Sequence, residues 1–379
     1  MKLVWFIFLV VLGCCANLIQ ARTLEVGPYK EFALPSVAAM FALDGDVIEI
    51  DAKGNYINDS AVWKQNNITL KGVNGRPHLR SSGNIPNQKG IWVIQGNHVT
   101  VSNVEMSGAK VADKNGAAIR LEGADFHLSD CFIHSNENGI LGGNSHPQGE
   151  VLIENCEFAF NGDGSGSTHN IYIGDVGRFT LRNSYSHDAL RGHLVKSRAR
   201  ENYILYNRLF EGTASYAIDL PNGGYGLVMG NVIYQGPDTD NSTIVAFGAE
   251  GLKHPENLLE IAYNSFLNER SSGIFIKTWG ESESMVVNNL FSGNGDVVLG
   301  AKDKAHIENN IHETKLYEDF SPGNVSLQTG MVPRVVDTAI PVISRHGGQL
   351  LPVMQIVRGK VVTRDVLGKG FDIGAVEYR

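Results

Sequence analysis

Superposing "HNIYIG" (169–174), "HLVKSR" (193–198) and "YAIDLP" (216–221) puts Tyr172, Lys196 and Asp219 in one column, at steps of 24 and 23 residues. His169, His193 and Tyr216 fall in a second column. Ile171, Val195 and Ile218 then stack inward, and period-two alternation turns Tyr172, Lys196 and Asp219 outward, with Arg198 beside them. Phenol, ammonium, guanidinium and carboxylate on one surface suit proton removal next to a sugar carboxylate. That reaction passes through a dianionic, enolate-like species that cations stabilise, while a base takes the proton and an acid meets the leaving oxygen. Tyr172 is the base or acid, flanking cations favouring its phenolate form. Lys196 is its partner or the base itself, and Arg198 neutralises the carboxylate. His169 and His193 are further base or acid candidates, although the alternation would turn them inward. Arg191, Arg200, Asp219, Asn222, His187 and Asn170 complete the set as substrate contacts. The glycines of the matching segment "GILGGN" (139–144) leave room for a sugar ring.

Charge narrows the ligand class. Between His169 and Arg200 six cations face two acids, Asp175 and Asp188, in a chain of net charge −8. A basic zone on an acidic body points to an anionic ligand. An acidic polysaccharide fits better than nucleic acid, for which a broader basic surface would be expected. Plainer readings stand beside this one. Arg178, Arg182 and Arg200 read as edge charges, Lys196–Asp219 as a surface ion pair, and His187 and His193 as hydrogen-bonded turn residues. Lys277 and Trp279 either extend a sugar groove or anchor a loop. Asp188 and Asp219 are too few for a Ca²⁺ site, so no metal ligands are read and a Ca²⁺ requirement stays open.

A repeat must position these side chains. Nine times an apolar residue sits two places before Asn or Asp, at Asn103, Asp130, Asn155, Asn183, Asn207, Asn231, Asn264, Asn289 and Asn309. The steps of 20 to 33 residues hold several short strands but no βαβ unit, so each repeat reads as one coil of an all-β solenoid. The Asn column reads as a side-chain ladder at a turn. Cys131 and Cys156 each follow an anchor, stack on adjacent coils, and are either a disulfide or two small buried residues. The inserts "NGDGSGST" (161–168), "QGPDTDNS" (235–242) and "GAEGLKHPEN" (248–257) are candidates to wall a binding face.

With "LSDCFIHSNENGI" (128–140) and "IENCEFAFN" (153–161) repeating in this way, the chain resembles the right-handed parallel β-helix proteins of the pectin-lyase-like superfamily. The resemblance implies a single-stranded β-helix over residues 22–315, a capping helix near Leu34–Leu43, a first strand in "GDVIEI", and a tail over 316–379 packing along the coils. The tail's "GFDIGAVEY" is similar to the closing segment of many such proteins. The segment around Lys196 resembles the active coils of polyuronate lyases, although Lys196 and Arg198 share one strand where those lyases commonly place Lys and Arg about a coil apart. "SHDALRGH" (186–193) loosely echoes the Asp-Pro-His motif of mannuronan C5-epimerases, without the Pro.

Lys2, an apolar run from Leu3 to Leu12 and a candidate cleavage site after Ala21 make residues 1–21 a signal peptide, the run being too short to span a membrane. Lipoprotein processing at Cys14 in "VLGC" is the alternative. Either route gives a periplasmic or secreted protein with no transmembrane segment once mature. The expectation is an exported lyase that cleaves a uronate-containing polysaccharide by β-elimination. The alternatives are a uronate C5-epimerase, a glycoside hydrolase using two opposed carboxylates such as Asp188 and Asp219, or a non-catalytic carbohydrate-binding envelope protein.

Overall fold

The computed structural model describes residues 21–378 except 84, 144 and 301. The Cys14 reading, and the signal peptide over 1–21 save for Ala21, lie outside the described residues. From Thr23 to Glu313 the chain winds through three parallel sheets of twelve, eleven and ten strands, visited in that order on each coil. One coil runs Val99–Ser102, Glu105–Ser107 and Ala117–Leu121 before Phe126–Ser129 returns to the first sheet. The architecture is a right-handed parallel β-helix, the hand expected when right-twisted strands are joined by parallel crossovers.

Aliphatic columns fill the interior. On the third sheet Ile119, Ile140 and Ile171 are in register, as are Val195, Ile218, Val245, Ile276 and Val298. All but Val298 are fully buried, each contributing about 1.5–3 kcal/mol relative to exposure. This inward stack forces Tyr172, Lys196 and Asp219 outward in one register column.

The Asn column resolves into two columns, one residue apart. Between the first and second sheets one residue per coil takes positive φ. Asn103, Asp130, Asn155 and Asn183 occupy this position, followed by Tyr206, Gly230, Tyr263, Asn288 and Asn309. The next residue points inward and accepts the backbone N–H of its counterpart one coil earlier. In this way Cys156 Sγ serves Cys131 N, Ser184 Oγ serves Cys156 N, and Asn207 Oδ1 serves Ser184 N. From Asn207 onward the ladder is continuous through Asn231, Asn264, Asn289 and Asn310, with amide-to-amide bonds of 2.9–3.1 Å. The repeated anchor therefore mixes turn residues with ladder residues, and the last rung is Asn310 rather than Asn309. Cys131 and Cys156 are separate buried thiols occupying ladder positions.

A helix, Pro35–Phe41, starts at a proline and buries Ala38 and Ala39 beside the first coil. Beyond residue 316 the chain forms three two-stranded antiparallel hairpins. Leu316, Tyr317, Val335 and Ile373 pack on Phe210, Val232 and Leu290 of the second sheet. Val342 and Leu350 pack on Tyr225, Leu258 and Met285 of the first. A buried Arg364–Glu377 pair at 2.7 Å, with Arg364 also donating to the Gly374 and Asp372 carbonyls, ties the C-terminal segment together. Among the described residues no helix is long and apolar enough to cross a membrane.

Candidate functional site

The outward column lies on strands Ile171–Ile173, Val195–Ser197 and Ile218–Leu220 of the third sheet. Lys196 Nζ sits 3.2 Å from Asp219 Oδ2 and 2.9 Å from Glu250 Oε1. Arg198 follows its strand and spreads its guanidinium over three partners. Nε donates to the Tyr172 hydroxyl at 2.8 Å, Nη1 to Asn222 Oδ1 at 2.8 Å, and Nη2 meets Glu250 Oε2 at 2.7 Å. The two oxygens of Glu250 thus bridge Lys196 and Arg198. Glu250 lies in the 248–257 insert, whose His254 also bonds the Arg198 carbonyl at 3.2 Å. Tyr172, Asp175, Arg198, Asn222, Glu250 and His254 line a cleft of about 540 Å³. The expected wall is present, and its Glu250 is the contact that column reasoning missed; "GAEGLKHPEN" was visible as an insert, but nothing in its spacing said which coil it would lean over.

The electrostatics follow from sharing. Burial alone would lower the Lys196 pKa, but Asp219 and Glu250 together raise it, so Lys196 is a cation and a proton donor. Asp219 is pushed up by burial, which exceeds the stabilisation from an ammonium it shares with a second carboxylate. Glu250, more exposed and paired with both cations, is held down despite its partial burial. Burial would lower Arg198, yet bonds to Tyr172 and Glu250 hold it above its ordinary value. Lys196–Asp219 is a pair with side chains only 12% and 4% exposed, not the surface pair of the plainer reading. Asp219 Oδ1 and Asn222 Nδ2 are buried without a hydrogen-bond partner, the kind of unpaired acceptor and donor that calls for an explanation in a folded protein.

His169 and His193 do not turn inward. Strand alternation begins only at Ile171 and Val195, and Asn170 takes the interior position ahead of it. His169 stacks on His193 with ring centroids 4.6 Å apart and meets Tyr172 edge-on at 5.7 Å. Each Nδ1 accepts a backbone N–H from the next coil, of His193 at 3.0 Å and of Tyr216 at 3.3 Å. The proton of each neutral ring is therefore on Nε2, and His193 Nε2 lies 3.4 Å from Asp219 Oδ2. Burial first, then Lys196 and Arg198, push His169 down to about 3; burial and the same neighbourhood hold His193 well below its ordinary value. With no free lone pair, the two imidazoles act as N–H donors and spacers under the column, not as bases.

Several expected contacts lie elsewhere. Asn170 is fully buried and consumed by an interior ladder, its Oδ1 accepting from Asn161 and its Nδ2 donating to Ser186 and to the His187 carbonyl. His187 is on the second sheet, between Asp188 at 2.7 Å and Glu157 at 3.3 Å, so Asp188 cannot oppose Asp219 as a hydrolase pair. Arg191 pairs with Asp240 at 2.6 Å beside a separate hollow of about 660 Å³, whose lining includes the acids Glu137, Asp163 and Asp238. Arg178, Arg182 and Arg200 pair with glutamates on the first sheet. The basic window is longer than one coil, so winding distributes its charges around the solenoid. Of its six cations, Arg198 lines the cleft and Lys196 adjoins it through Glu250. Lys277 stands over the Trp279 ring at 4.7 Å on a later coil.

No curated protein matches the chain. Residues 142–311, which include every side chain bordering the cleft, match the family model described as a right handed beta helix region, in agreement with the parallel solenoid built by the three sheets.

Proposed function

We propose that the cleft on the third sheet binds an acidic polysaccharide and cleaves it by β-elimination at a uronate residue. The observation that carries this reading is the Glu250 carboxylate bridging Lys196 and Arg198, with the Tyr172 phenol on the same guanidinium. The cation pair already holds a carboxylate in bidentate fashion, and a uronate carboxylate would take the place of Glu250. Tyr172, in its phenolate form, then takes the proton on the carbon next to that carboxylate and becomes the phenol, and Arg198 stabilises the charge that develops on the substrate. The bond from the neighbouring carbon to the glycosidic oxygen breaks, a carbon–carbon double bond forms, and the Lys196 ammonium protonates the leaving oxygen. Asn222, on the cleft wall, is the partner offered to a sugar hydroxyl. In this account the protein acts outside the cytoplasm, with residues 1–21 serving as the leader that the sequence reading proposes.

A second reading rests on a different observation. Asp219 is pushed up and Glu250 held down, and carboxylates driven apart in this way are the mark of an acid and base working together. A glycoside hydrolase would use this pair. Incubation with alginate, pectate, glucuronan and glycosaminoglycans separates the two. Elimination yields ultraviolet-absorbing unsaturated uronate, whereas hydrolysis yields reducing ends without that absorbance. Reducing ends alone, lost in Asp219→Asn and kept in Tyr172→Phe, would replace the first reading with the second.

A further inference from the structure

We infer that the outer face of the second sheet carries a binding site for one divalent cation of the zinc class, built by His78, Glu105 and His134. These residues come from His78–Arg80, Glu105–Ser107 and Phe132–His134, three successive coils. Among the described residues they form the group of histidine and carboxylate ligands whose donor atoms lie within 4.8 Å of one another. Glu105 Oε1 is 3.4 Å from His78 Nδ1 and 3.2 Å from His134 Nε2. A tetrahedral zinc with bonds of about 2.0–2.1 Å sets its ligand atoms about 3.3 Å apart. Both separations match that edge length.

Ordinary His–Glu ion pairs would also bring these groups together, and the second shell distinguishes the cases. The far nitrogen of each ring is engaged by a serine hydroxyl, His78 Nε2 with Ser107 Oγ at 2.7 Å and His134 Nδ1 with Ser135 Oγ at 3.1 Å. With the ring protons on those nitrogens, two lone pairs and a carboxylate oxygen face one another within 4.8 Å with no hydrogen between them. This is the arrangement in which outer-shell partners orient metal-binding imidazoles. Phe132 stacks on His134 with centroids 4.2 Å apart and fixes the ring plane. The three side chains keep 37%, 27% and 20% of their exposure, leaving the outer coordination positions to water. Two imidazoles and one carboxylate suit zinc and its neighbours rather than Ca²⁺ or Mg²⁺, which prefer all-oxygen shells. The bound ion would join three coils on the side of the solenoid away from the uronate cleft.

The test is calorimetric titration of Zn²⁺ into the untagged, EDTA-treated full chain, with elemental analysis of the dialysed product. The expected result is one saturable equivalent, lost in Glu105→Gln and in His134→Ala, with affinity lowered about 10–100-fold in Ser107→Ala. His127→Ala, which breaks the His127–Glu154 pair on the first sheet, should keep the equivalent. Far-ultraviolet circular dichroism of each variant in the absence of metal establishes that its fold is retained. No saturable binding by the wild type, or a zinc equivalent that survives both Glu105→Gln and His134→Ala, would overturn the site. An equivalent taken up from Ca²⁺ alone would overturn the assigned metal class.

Discussion

If Glu250 holds the place of the substrate carboxylate, neutralising it should tighten uronate binding. In Glu250→Gln the side chain keeps its size but no longer competes for Lys196 and Arg198. The contacts it gives up are charge-assisted, at 2.9 and 2.7 Å, but Glu250 is 43% exposed and solvent screens them. At about 0.2–1 kcal/mol for each of the two partly exposed pairs, the competition amounts to about 0.4–2 kcal/mol, or roughly 2–30-fold in affinity. Stability should fall by no more than about 2 kcal/mol, the worth of the same two pairs, because Lys196 retains Asp219 while Arg198 retains Tyr172 and Asn222. Calorimetric titration of a short uronate oligosaccharide into wild type and variant measures the difference. The gain should shrink as salt rises, since the competing pair and the incoming anion share the same screened field. Weaker binding by Glu250→Gln, or binding unchanged with turnover abolished, would refute the carboxylate-surrogate reasoning and make Glu250 a participant in the chemistry.

Three further outcomes follow from the fold. Asn231→Leu leaves the Asn207 N–H and amide without their acceptor and should cost on the order of 2–6 kcal/mol in a urea melt, at about 1–3 kcal/mol for each of the two stranded buried groups; a loss below about 1 kcal/mol would deny the ladder its role. His169 is buried with its folded pKa pushed down to about 3, so its contribution is intact above the unfolded value near 6.5 and declines as pH falls from there towards 3, by up to about 1.4 kcal/mol per pH unit. Melts at several pH values should show a shallower acid slope in His169→Asn, and parallel slopes would contradict the assignment. Arg364→Met strands the buried Glu377 carboxylate and should destabilise the tail by about 3–5 kcal/mol, seen as early protease cleavage after residue 316; wild-type resistance would show that the pair is dispensable.

Much of the fold was legible because a solenoid writes its geometry into the sequence at a fixed interval. Ile171, Val195 and Ile218 were identifiable as inward from alternation alone, and that fixed Tyr172, Lys196 and Asp219 as a surface row. The anchor column was one residue out for half its length, because Asn is favoured both at a positive-φ turn and as a buried ladder rung, and the two positions adjoin. Asn170 was misplaced because alternation was extended beyond the strand into a corner that turns its side chain inward. The basic window failed as a patch because adjacency in sequence becomes dispersion around a coil. Glu250 was out of reach because a long insert can lean over any neighbouring coil, and only tertiary structure sets it against Lys196 and Arg198.

The most direct test of the account is the ultraviolet absorbance of unsaturated uronate released by the wild-type protein and by Tyr172→Phe from the same acidic polysaccharides. In this account the Tyr172 oxygen on Arg198 takes the proton as phenolate, and phenylalanine keeps the ring packing on His169 while removing only that oxygen. The account predicts absorbance that rises with the wild type and falls by about 10²–10⁴-fold in rate in the variant, the usual contribution of a positioned acid or base. Equal rates in the two proteins, or no absorbance from any of the polymers, would contradict it.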